Sequence, residues 1–149
     1  VNFSHLRQVV LAFARVGWSD ERVMEAISTT FREMQHVPEE FRPTSEKAAT
    51  ILCALARLQR PDPIVSRTVL RQMLERDRDA ESGAKETRPM SLSQWAEVLH
   101  AAWLLDAMHA SREEWSLWRQ CCAHVALRLW EAGSLTPLSS TKFDVLRTR

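Results

Sequence analysis

Cys121, Cys122 and His124 are the densest group of soft metal donors in the chain. A tetrahedral zinc site needs four ligands at suitable spacing, and no Cys-x-x-Cys accompanies them, so neither a metal nor any other cofactor is expected. Burial on a helix accounts for these thiols. The five histidines form no HExxH pattern, and no GxxxxGK[ST] or GxGxxG loop is present. Asp77, Asp79 and Glu81 alternate with Arg76 and Arg78, which reads as a solvated loop rather than a pair of catalytic carboxylates. With no visible machinery for catalysis, the chain is read as a non-enzyme.

Recognition chemistry is better represented. The positive charge comes from seventeen Arg and only three Lys, set against nineteen acidic residues for a net charge of +1. Arginine suits forked contacts to phosphate and stacking on bases, so a nucleic-acid partner is admissible. The near-neutral balance argues against a nonspecific polyanion binder. The six tryptophans could stack on bases, but the spacings of Trp95 with Trp103 and of Trp115 with Trp118 place each pair on one helix face and favour packing between helices. Trp18, at a turn, is the aromatic expected to be exposed.

The elements that position these residues are read from an internal repeat. VVLAFARVG (9–17) aligns with ILCALARLQ (51–59) at a constant offset of 42 residues, and the match continues through Asp20 with Asp62, Val23 with Val65, Ile27 with Val69 and Phe31 with Met73. VLHAAWLLD (98–106) stands 47 residues beyond the second copy. Each unit reads as two helices. Leu6, Val10, Phe13 and Gly17 follow one helical face, and Gly17 ends that helix. Its partner opens at Ser19 or Asp20 and carries Val23, Ile27, Phe31 and Met34 inward up to Pro38.

The second unit starts at Thr44 or Ser45 and turns at 60–63 into a helix near 63–78. The charged stretch 77–89 reads as an exposed loop. A third unit starts at Ser91 or Ser93, and its second helix starts near Ser111. The fold class expected is all-α, an α-solenoid of about three stacked helical hairpins spanning 1–133, with units at 3–38, 44–79 and 91–132. Residues 134–149 form an extension or the start of a further helix. In such a stack Ala12, Ala54 and Ala101 occupy equivalent surroundings. Three cysteines, two of them adjacent, indicate no disulfide framework and hence a reducing compartment. No stretch is apolar enough to span a membrane, and the opening Val1 suits a processed product or a fragment.

The Ala- and Leu-rich first helix ending in an Arg-Val-Gly or Arg-Leu turn resembles heptatricopeptide and octotricopeptide repeats. The third copy is most similar, with Pro89, Trp95, VLHAAWLLD (98–106) and Trp115 where octotricopeptide units place Pro, Trp, the Ala/Leu stretch and a second Trp. The likeness covers about residues 3–132, and no RAP-type domain accompanies it. It implies an organellar helical-repeat protein that binds RNA, mitochondrial in location, and part of a ribonucleoprotein such as the mitochondrial ribosome.

RNA contacts are then expected from repeated polar positions on the first helices and from nearby arginine: Arg7, Gln8, Arg15, Thr50, Arg57 and His100. The plainer reading of these positions is a solvated helix face. The competing function is a protein–protein scaffold subunit of an organellar complex without direct RNA contact.

Overall fold

A computed structural model describes residues 2–83, 86–109 and 112–133. They form six α-helices and, among the described residues, no strand: α1 Phe3–Val16, α2 Glu21–Glu33, α3 Ser45–Arg57, α4 Pro63–Ser82, α5 Leu92–His109 and α6 Arg112–Glu131, with short 3-10 turns at Met34–His36 and Glu39–Phe41. The further helix expected within 134–149, and Ser111 as a helix start, lie outside the described residues.

Local chemistry sets the helix boundaries, and it recurs with the repeat. Asn2 caps α1 by accepting from Ser4 N, and Thr44, 42 residues on, caps α3 by accepting from Lys47 N. Ser91 caps α5 through a reciprocal box in which Gln94 N donates to Ser91 Oγ (3.1 Å) and Ser91 N donates to Gln94 Oε1 (3.2 Å). Asp20 and Asp62, again 42 apart, cap α2 and α4. The turns between these helices also match. Trp18 N donates to Phe13 O and Arg60 N to Leu55 O, the closing bond of a helix C-terminal motif that needs a left-handed residue just before it. Gly17 (φ 70°) and Gln59 (φ 53°) supply it.

The odd-numbered helices touch in succession, α1 on α3 and α3 on α5, and the even-numbered helices do the same. Each odd helix also contacts the even helix that follows it. Burial is deepest around α3, where Ala48, Ala49, Ile51, Leu52, Ala54 and Leu55 are all buried. The three buried alanines of the helix leave room for close approach of neighbours on both sides. Ile27, Phe31, Val65, Val69, Met73 and Trp95 complete the centre of the core.

Three expectations need correction. Ala54 and Ala101 are buried, at 2% and 4% exposure, but Ala12 is exposed, because α1 has no preceding helix against it among the described residues. The stretch 77–89 is not a loop throughout: α4 runs to Ser82 before Gly83 turns left-handed (φ 66°), and Asp77 and Met90 are both fully buried. The tryptophans are not mostly core. Trp95 is buried, while Trp18, Trp103 and Trp130 are exposed and Trp115 and Trp118 half-buried. At about 100° per residue, the eight-residue step from Trp95 overshoots two turns by roughly 80° and carries Trp103 off the buried face.

Candidate nucleic-acid interface

The six residues expected to contact RNA lie on α1, α3 and α5, in two different circumstances. Arg7 and Thr50 come together: Arg7 Nε donates to Thr50 Oγ1 at 2.8 Å, and that hydroxyl donates onward to Lys47 O at 2.7 Å. The pair therefore links α1 to α3, with both side chains half-buried. Gln8, Arg15, Arg57 and His100 are exposed. Their row is electrically mixed. Burial raises the pKa of the Cys53 thiol between α3 and α5, the Glu97 carboxylate raises it further, and Arg57 opposes both, which places an acid and a base on the same strip of surface.

A more uniform charge gathers elsewhere. A cleft of about 540 Å³ between α2 and α4 is lined by Arg32, Arg42, Arg67, Arg71 and His36, with Glu75 as its acidic member. Arg42 is committed to the protein, its Nε donating to Val37 O at 2.7 Å. Arg32, Arg67 and Arg71 form no ion pair among the described residues. Arg67 and Arg71 are one helical turn apart on α4, a like-charge spacing that opposes helix formation by about 0.2–0.5 kcal/mol. Gln72, also on the cleft wall, donates through Nε2 to Pro43 O at 3.1 Å, and its buried Oε1 has no partner. Three unpaired guanidinium groups in one concavity suit an anion with several acceptor oxygens.

The sequence reading missed this cleft. Its local trace is the Arg67–Arg71 spacing, but Arg32 belongs to the preceding hairpin, so only the α2–α4 contact assembles the set.

The buried acid at Asp77 holds the third hairpin against the second. Met90 N donates to Oδ1 at 2.8 Å; Trp95 Nε1 (2.9 Å), His124 Nε2 (2.7 Å) and Arg128 (2.8 Å) converge on Oδ2. A carboxylate only accepts, so His124 Nε2 carries the hydrogen in this contact. Burial pushes the Asp77 pKa up, but bonds from His124, Met90 and Trp95 and the charge of Arg128 outweigh it and hold the carboxyl below its usual range. Arg128 also donates to Met90 O at 2.6 Å, tying the segment before α5 to α6. The signal in the sequence was spacing: Val65, Val69, Met73 and Asp77 recur every four residues, so the acid continues the apolar stripe of α4.

The thiols are placed for packing. The three cysteines are free, and burial pushes the Cys121 thiol up to about 12, far from a nucleophile's range. Among the described residues no three His, Cys, Asp or Glu side chains gather as a metal site, and no helix is long and apolar enough to cross a membrane. No protein-family model, curated protein or solved structure matches the chain.

Proposed function

We propose that the chain is a non-catalytic RNA-binding protein in which three helical hairpins stack as an α-solenoid and the α2–α4 cleft grips the RNA backbone. One observation carries this reading: Arg32, Arg67 and Arg71 converge on a single cleft without an ion-pair partner among the described residues. Guanidinium groups form short, charge-assisted and often bidentate bonds to phosphate oxygens. Such contacts fix register along the strand and leave sequence choice to other side chains. Arg15, Arg57 and His100 on the odd-numbered helices are exposed and supply a second row that can reach bases. The resemblance to octotricopeptide repeats extends the proposal to a subunit of a mitochondrial ribonucleoprotein, such as the mitochondrial ribosome.

A scaffold role without RNA is favoured by a separate observation, the large apolar side chains exposed at the ends of the helix series: Val16 at 73% on α1 and Trp130 at 56% on α6. Filter binding of single-stranded RNA decides between them. Changing Arg32, Arg67 and Arg71 together to Ala is expected to weaken binding and to flatten the dependence of log K on log salt by about 2, at roughly 0.7 per lost phosphate contact. Changing Arg15 and Arg57 to Ala is expected to have the smaller effect. Unaltered curves for the triple variant remove the cleft from the account.

A further inference from the structure

The repeat register gives every position on α1 a counterpart on α3 and α5. Val9, Ala12 and Val16 correspond to Ile51 and Ala54 on α3 and Leu58 at its C-cap, and to Val98, Ala101 and Leu105 on α5. Five of those six counterparts are buried and Leu58 is half-buried, each helix having its predecessor in the odd-numbered series against it. On α1 the same three positions are bare, with Val9 40% and Val16 73% exposed. This face of α1 therefore has the apolar character of an inter-hairpin contact and no helix upon it among the described residues.

The far end shows the converse. Ala49, Leu52 and Ala56 of α3 correspond to Ala96, Leu99 and Trp103 of α5. The α3 set is buried or half-buried, whereas Ala96 and Trp103 are exposed, Trp103 at 44%, and Leu99 is half-buried. The chain thus carries both halves of one contact, separated at opposite ends of the series.

We infer that a second copy of this chain docks head to tail, with the Ala96–Leu99–Trp103 face of one α5 seated on the Val9–Ala12–Val16 face of the next α1. The contacts of α1 on α3 and of α3 on α5 are its template. The charges allow it. Glu97 acts on Cys53 across the α3–α5 contact, and the counterparts of that pair between copies are Gln8 and His100, which set no like charges together. A net charge of +1 offers little repulsion between copies. Because the two faces differ, the contact is heterologous and can propagate beyond a dimer.

The inference rests on the stacked-hairpin reading but not on RNA binding. Sedimentation or light scattering tests it. The intact chain is expected to rise above its monomer mass of 17.2 kDa with concentration. A V9E/V16E variant and a W103E variant, all at exposed positions, are each expected to stay monomeric, while their equimolar mixture forms one 1:1 pair and stops there. An intact chain that stays monomeric throughout, or variants that assemble as the intact chain does, overturns the second copy as the occupant. The stacked reading has its own check in the Arg7–Thr50 bond: Arg7→Ala should lower the melting temperature, and much less so in a Thr50→Ala background. Simple additivity there removes the basis of the inference as well.

Discussion

A carboxylate side chain left 1% exposed must have its charge met by donors, and Asp77 is met by four: the Met90 amide, the Trp95 indole, His124 and Arg128. Removing one partner from such a set costs more than the set contributes, because the others stay buried and unsatisfied. Asp77→Ala is expected to destabilise the chain by about 3–5 kcal/mol in denaturant titration. The pH dependence follows from the sign of the shift. The folded carboxyl has a pKa below its ordinary value near 4, so its contribution is complete above that value and disappears as pH falls through the lower, folded one. The stability gap between wild type and Asp77→Asn should be widest near neutral pH and should shrink as the pH drops below about 4. A gap that stays constant in acid contradicts the burial of a charged Asp77.

The helices show which parts of the fold can be read from the chain. Capping residues at Asn2, Thr44 and Ser91, the paired N-caps Asp20 and Asp62, and the repeated turn at Gly17 and Gln59 are all local, and they recur at the offset that the apolar pattern reveals. What local pattern misjudged was α4 beyond residue 76. Alternating charge there suggested a loop, although only the outer face of a continuing helix is solvated and Asp77 turns inward. The tryptophans failed for a related reason, since residue type does not state which face of a helix a neighbour will cover. Gln59 supports an element-scale test. A side chain at φ 53° is strained by roughly 1–2 kcal/mol where Gly17 is not, so Gln59→Gly, after the roughly 0.5–1 kcal/mol entropic cost of glycine, should stabilise the protein by up to about 1 kcal/mol. The melting temperature should then rise by roughly 2 °C for a chain of this size. A lower melting temperature would show that the Gln59 side chain contributes more than its backbone strain costs.

At the scale of the molecule, the candidate site arises from contact between hairpins. Arg32 lies on α2 of the first hairpin and Arg67 and Arg71 on α4 of the second, so no single hairpin contains the cleft, and residue-by-residue reading instead favoured the polar row on α1, α3 and α5. That row is partly consumed by the Arg7–Thr50 link, and the Glu97 carboxylate, which acts on Cys53 in opposition to Arg57, makes its charge mixed. The central claim, that RNA lies along the α2–α4 cleft, is reached most directly by photocrosslinking the intact chain to single-stranded RNA and identifying the attached peptides. Attachment within 32–42 and 64–75 is the expected result; attachment confined to α1, α3 and α5, or none, contradicts the account.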